Sequence, residues 1–591
     1  MKDRSDRIVT LESLVLGMLL LAAFGMRVTR LSWPPLAPAE AVAALDAART
    51  TADASALDPS SGPPLAPAYA STTALLFTAF GSSGSLARSV PVAAGMALLC
   101  IPLVLRRRIG RPAALLAVML LGLSPTLVMI ARTAGGGALA LAGLGLCWAV
   151  LGRGDLSPKT RTAWMAGLLA LALASGPSAL TGLLGLAVGV VVHRVLFRGA
   201  DPGWSELRSL PWSARRELIL FAGLLLAIST AVGTRPDGLA GLAASLGAWL
   251  QGWTRSGDLG VGTALAGLAI YEPLVLLGGA YAAVMLRSRG SLNAGLTTWA
   301  LGALLVALIY PSRSAADLAW SLIPMAVLAG QAVEDVVERL ARAEHKPIVA
   351  ILGGMLLLLA VFAYLQLAGY ARGIGRGPEF DPSLELGLAI GALALGLVIT
   401  VLFGLGWSWP LAGGAVRLVA LGLLAAATVS ASWSLNYGAL AATARELWRP
   451  QAATAETQLL LETAHGVSMG QTGWPDALAL RLESGASPVL AWTLRGFPLD
   501  VAEGALASDQ PKVILRRIDG QERPLAADYI GQTFSIVERK AWSGVLPSGL
   551  LRWMVLREAP SLPEQWLLLV RADVASFGEF PAQPAPAESG G

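Results

Sequence analysis

Charge is what this chain has least of: of its 591 residues only 14% are Asp, Glu, Lys or Arg, while 55% are hydrophobic. Soluble domains carry roughly 25% charged residues, so this composition excludes a water-covered globule and implies an integral membrane protein. No nucleic-acid partner is expected of it. Cysteine is nearly absent too. Cys100 and Cys147 both lie in apolar runs, which leaves no disulfide framework and no thiolate metal site, and both read as small buried hydrophobes. The three histidines, His193, His345 and His465, are far apart and show no HExxH-type spacing, so no His-based metal site is expected.

What is present is a series of long apolar runs. A hydrocarbon core of about 30 Å needs roughly 17–25 apolar residues per helix. On that measure spans are expected near 8–26, 88–105, 113–131, 135–151, 163–175, 178–194, 217–233, 263–285, 292–310, 315–331, 348–368, 384–405 and 414–432, about thirteen in all. The opening MKDRSDRIVTLESLVLGMLLLAAFGM has a basic start and an apolar centre. It lacks a convincing small-residue cleavage pattern and reads as an uncleaved first helix.

Basic residues set the expected orientation, because Lys and Arg of short loops stay on the cytoplasmic side. The clusters Lys2–Arg7, RRRIGR (106–111), RGDLSPKTR (153–161), HRVLFR (193–198) with ARR (214–216), RSR (287–289) and Arg339–Lys346 all fall on one side if the N-terminus is cytoplasmic. Counting ASTTALLFTAF (70–80) as a span would invert every later loop. It is therefore read as an interfacial helix within one long external loop, 27–87.

The pattern changes after residue 432. PVLAWTLRG (488–496), KVILRRI (512–518), FSIVERKAW (534–542), RWMVLREA (552–559) and EQWLLLVRADV (564–574) read as short β runs, and 447–466 as a helix. Residues 433–578 are thus expected to form a small extracytoplasmic α/β domain, followed by a disordered tail, 579–591. From 433 onward 13 Lys and Arg face 17 Asp and Glu, a formal −4; with +5 for the whole chain, the membrane part, 1–432, carries +9.

The span interiors are almost free of ionisable residues, which argues against a transporter pathway. Glycine and proline interrupt spans at ASGPSAL (174–180) and IYEPL (270–274), and Glu272 in the latter is the one intramembrane acid to flag. Charge gathers instead at the outer helix ends. Glu40, Asp46, Asp53 and Asp58 lie in the first external loop, with Arg132, Arg235, Arg255, Arg313 and Asp317 at other outer edges. Guanidinium groups beside a carboxylate at a membrane surface suit one chemistry: the arginines hold the phosphate of a lipid-linked sugar and the carboxylate takes the acceptor proton.

The order of short motifs then resembles a specific group. Asp58-Pro59-Ser60, Gly62-Pro63-Pro64-Leu65, Phe80-Gly81 and Arg88-Ser89-Val90-Pro91 are similar to the first-loop signature of polytopic GT-C type glycosyltransferases. SPTLVMIAR (124–132), SGPSAL (175–180) and PSRSAADLAWSLIPMAVLAG (311–330) resemble that group's later elements. Within the polyprenyl-phosphate-sugar transferase superfamily the chain looks most like the flippase-associated Agl-type proteins and their bacterial relatives, and ASPVLAWTLRGFP is similar to an element of their C-terminal region. The resemblance covers most of residues 8–335. It implies sugar transfer from a polyprenyl-phosphate donor on the extracytoplasmic face, with membrane lipid as the medium, no cofactor beyond the donor itself, and metal dependence left open.

Carried onto this chain, the resemblance makes Glu40 and Asp58 the candidate catalytic carboxylates, and Arg88, Arg132 and Arg313 the candidate phosphate holders. The chain also departs from the pattern. The group's Asp-Glu pair after the first span is Ala39-Glu40 here, its His before Gly-Pro is Ser61, and its Tyr-Tyr is Pro67-Ala68, with Tyr69 next. Two expectations follow: a membrane glycosyltransferase, or a catalytically degenerate relative that binds lipid-linked glycan or assists a flippase or partner transferase of the same pathway.

Overall fold

The computed structural model describes residues 11–49, 62–153, 155–197, 214–285, 291–342, 345–373, 383–437, 439–483, 487–502, 510–518, 525, 527–542, 544–547 and 549–575. Among the described residues helix lies under each of the thirteen expected spans, but not as thirteen crossings: 384–405 and 414–432 share one helix, and 135–151, 163–175 and 217–233 lie in helices of only 15, 16 and 16 residues. Among the described residues, seven helices are long and apolar enough to cross a membrane, and two bent pairs bring the number to nine. One of the seven, Ser383–Asn436, is 54 residues long. At 1.5 Å per residue it measures about 81 Å, more than two hydrocarbon cores. A π-helical turn at Gly404–Ser408 divides it, and both halves pack on Lys346–Gly373.

The helices pack through small residues, as expected where lipid supplies no hydrophobic drive for association. Pro177–Leu196 and Ser291–Ile309 meet backbone to backbone: a Cβ on Gly302 would lie 2.4 Å from the Gly189 nitrogen. The two bent pairs, Arg111–Leu123 with Pro125–Ala131 (62°) and Val261–Tyr271 with Pro273–Met285 (90°), are joined at their breaks. Proline follows each break and cannot donate to the helix it enters. Glu272, at the second break, accepts from Ser124 Oγ (2.6 Å) and the Thr126 N–H (2.9 Å) at the first. The intramembrane acid therefore ties one broken span to another.

ASTTALLFTAF lies in the helix Pro67–Phe80, whose 14 residues are too few to cross a bilayer. The preceding Ala-rich helix, Pro38–Ala48, is pressed against it: Ala41, Ala44 and Ala47 are fully buried, in one cluster with Tyr69, Phe77, Leu490 and Trp492.

After the last long helix comes a six-stranded sheet, β1 (Gln451–Ala453), β2 (Leu480–Glu483), β3 (Leu499–Ala502), β4 (Val513–Arg517), β5 (Tyr529–Lys540) and β6 (Ser561–Arg571), in the order β1-β5-β6-β4-β2-β3. β2 runs parallel to β3 and β4; the other pairs are antiparallel. Phe534 and Ile536 of β5 and Trp566, Leu568 and Val570 of β6 are buried on alternate positions, and Val537, after an irregularity in register, and Leu569 are buried as well. The expected strands at 512–518, 534–542 and 564–574 are present. Those at 488–496 and 552–559 are helices instead, Pro488–Thr493 and Leu550–Leu556. The first opens with Ser487 before Pro488, a helix-start pair that its apolar content hid. The expected helix at 447–466 begins only at Glu456, because Pro450 cannot sit inside it and β1 takes up 451–453. Cys100 is exposed rather than buried; Cys147 is buried.

Candidate active site at the membrane surface

A cleft of about 430 Å³ opens where the segment after the first helix, the start of Ala315–Ala341 and the segment leading into the sheet converge. Its wall includes Ala39 and Glu40 from the helix Pro38–Ala48, Arg88, Arg132, Asp258 and Arg449.

Pro38 fixes the first turn of its helix, and Glu40, two residues on, accepts the Ala37 N–H at 3.0 Å, a common way to close a helix start. The same carboxylate receives Arg88 Nε (2.9 Å) and Nη2 (2.8 Å) as a fork, and the Ala134 N–H at 2.8 Å. Both oxygens are thus engaged. Burial would raise the Glu40 pKa, but the Arg88 charge and hydrogen bonds, with the Ala134 and Ala37 N–H groups, outweigh it and hold the carboxyl below its usual range. Such a carboxylate is a poor proton acceptor.

Arg88 is equally committed. Besides Glu40 it donates to the carbonyls of Leu31 (3.0 Å), Pro34 (2.7 Å) and Pro35 (3.4 Å), so all five N–H groups are used and none is left for a phosphate. Arg313 donates to the carbonyls of Ala307 (3.0 Å), Leu308 (3.0 Å) and Leu259 (2.7 Å), closing the C-terminal end of Ser291–Ile309. Arg132 does the same for the first helix, through the carbonyls of Met26, Arg27, Thr29 and Arg30, and lies over the Tyr437 ring. Its Nε takes no partner among the described residues, and the side chain borders the cleft. Asp58 and Asp53 lie outside the described residues. Arg235 donates to Ala70, Asp46 and Asp237, Asp317 accepts at Ser314, and Arg255 is exposed.

The cleft therefore gathers Glu40, Arg88 and Arg132 from the expected set, while Arg313 is used elsewhere. It adds two residues that sequence reasoning missed. Arg449 donates to Ala441, and burial lowers its pKa to about 10, so it remains a cation at neutral pH. Asp258 is exposed and forms no ion pair among the described residues; its side chain accepts only from Gln451 Nε2, at 3.4 Å. Among the described residues that line the cleft, it is the carboxylate with lone pairs to offer. Ala39 is exposed to the cleft, about 100° around the helix from the buried Glu40. The flag for Arg449 was its place in WRPQ, just beyond the last span; Asp258 carried no local signal.

No family model matches this chain, and no curated protein matches it in sequence. Solved structures do match its fold. ArnT from Cupriavidus metallidurans bound to undecaprenyl phosphate aligns with a TM-score of 0.53 at 16% identity, covering 86% of this chain and 93% of that one. Its apo form aligns with a TM-score of 0.53 at 15% identity over the same shares. The apo oligosaccharyltransferase of Archaeoglobus fulgidus gives a TM-score of 0.45 at 12% identity, over 83% of this chain and 65% of that one. The chain is a multi-pass membrane protein with the GT-C fold that its loop motifs resemble.

Proposed function

We propose that the protein is a membrane glycosyltransferase that draws a polyprenyl-phosphate-linked sugar into this cleft and passes the sugar to an acceptor hydroxyl. The observation that carries the reading is the cleft itself. In the fold of a protein crystallised with undecaprenyl phosphate, cations and a carboxylate with no ion pair among the described residues border one cavity where the membrane helices meet the sheet. Arg449, with the Nε of Arg132, faces the donor phosphate. Asp258 takes the acceptor proton as the acceptor oxygen bonds to the anomeric carbon and the C–O bond to phosphate breaks, its electron pair leaving on the phosphate. The basic loops support a cytoplasmic N-terminus, and on that reading the cleft and the sheet face the extracytoplasmic side.

A second reading, binding of lipid-linked glycan without transfer, is favoured by the bare Ala39 and the occupied oxygens of Glu40. The two separate in one assay. Membranes holding the protein are supplied with labelled polyprenyl-phosphate sugar, and bound donor and transferred label are counted apart. Transfer that depends on Asp258 supports the enzyme; saturable binding with no transfer supports the binder.

A further inference from the structure

The opposite end of the molecule carries a second cavity, independent of the donor reading. The helix Gly84–Ile109, 26 residues and about 39 Å long, carries Arg88 near its cleft end and Arg106, Arg107 and Arg108 at its far end. Beside that basic run lies a cavity of about 390 Å³, closed on its other side by the turn that follows Gly137–Leu151. Asp155 of this turn organises it. The carboxylate accepts from Arg107 Nη1 at 3.0 Å and from Arg153 Nε at 2.8 Å, which holds two guanidinium groups from separate elements side by side. Arg108 lies against Gly152, where a Cβ would come within 3.3 Å of its Nη1.

Four guanidinium groups against one carboxylate leave a net charge of +3 around a single cavity. Arg106 makes no hydrogen bond through its side chain among the described residues, and the Arg107 side chain is 72% exposed, so donors remain for a ligand. The same cavity is walled by Leu103 and Val104. Guanidinium groups at one side and aliphatic side chains at the other match a phosphodiester carrying acyl chains better than a soluble anion.

We infer that this cavity binds the headgroup of an anionic phospholipid, its phosphate held by Arg106, Arg107 and Arg153 and an acyl chain running along Leu103 and Val104. The site lies on the membrane face opposite the cleft and anchors the turn after Gly137–Leu151 to the lipid.

The test uses the purified full chain in detergent and counts adducts retained in native mass spectrometry with phosphatidylglycerol, phosphatidylcholine of the same chains, or inorganic phosphate. Arg107→Gln with Arg153→Gln is compared with Arg215→Gln and Arg216→Gln, an exposed basic pair at the start of Ala214–Ser229. Ser229, at the other end of that helix, accepts from Ser71 on the cleft side, so the control pair sits on the far face too. The expected result is phosphatidylglycerol binding about 30-fold weaker in the cavity pair, about fivefold per charge removed, and unchanged in the control pair. Equal losses in both pairs, equal retention of phosphatidylcholine, or displacement of the lipid by inorganic phosphate at matched concentration would each overturn the inference.

Discussion

Glu40 and Arg88, 48 residues apart, meet as a forked ion pair at 2.8 and 2.9 Å, and between them every oxygen and every guanidinium N–H is engaged. Both partners are nearly buried, so the pair locks the proline-rich turn after the first span onto the helix Gly84–Leu98. It shapes the cleft rather than acting in it.

Breaking such a pair from one side strands a buried charge. Glu40→Gln is expected to lower stability by about 3–5 kcal/mol, and Arg88→Lys to fall well short of wild type because a lysine cannot fill the fork. Chemical or thermal unfolding in detergent checks both.

The same pair sets an acid limit. Because the Glu40 pKa is depressed in the folded chain, its contribution is complete above the ordinary carboxyl value of about 4.5 and is lost as pH falls through the lower folded value. Wild type is expected to lose stability on acidification below about pH 4.5, and Glu40→Gln to lack that component. Unfolding midpoints across pH 3–7 show the difference directly.

The helix Pro38–Ala48 fits only because its inward residues are small. Ala44→Leu adds three carbons to a site with no exposure, and is expected to cost about 1–3 kcal/mol and to loosen the sheet from the membrane helices. Hydrogen exchange in Pro488–Thr493, which packs on that helix, reports the loosening.

Asp258→Asn is expected to reduce sugar transfer by about 10²–10⁴ while donor binding holds. Ala39→Asp placed on that background restores part of the transfer, since both positions border the cleft. Transfer indifferent to Asp258 would remove its role as base.

Much of the membrane fold was legible because it rests on one coarse signal, the length of apolar runs; the reading of 70–80 as non-spanning, drawn from parity, agrees with the 14 residues of its helix. The sheet was half legible. β4, β5 and β6 announce themselves by β-rich runs, whereas Pro488–Thr493 and Leu550–Leu556 are apolar stretches too short for a period to separate strand from helix. At the site, the sequence located Glu40 and Arg88 but not their relation. An acid and an arginine 48 positions apart read as two functional groups until their contact shows that each satisfies the other. Arg313 misled for a related reason: outer helix ends expose unpaired carbonyls, and an arginine there serves the helix before it serves a ligand. Asp258 and Arg449 stand out only when the loop before Val261–Tyr271 and the approach to β1 are folded against each other.

The proposed transfer depends on the cleft receiving a polyprenyl phosphate through Arg449. Titration of undecaprenyl phosphate against purified protein checks this, read by the part of the tryptophan fluorescence change that is lost in Trp33→Phe with Trp448→Phe on the cleft wall. Saturable binding is expected in wild type, about tenfold weaker in Arg449→Gln and unchanged in Arg215→Gln with Arg216→Gln. Equal affinity in wild type and Arg449→Gln would contradict it.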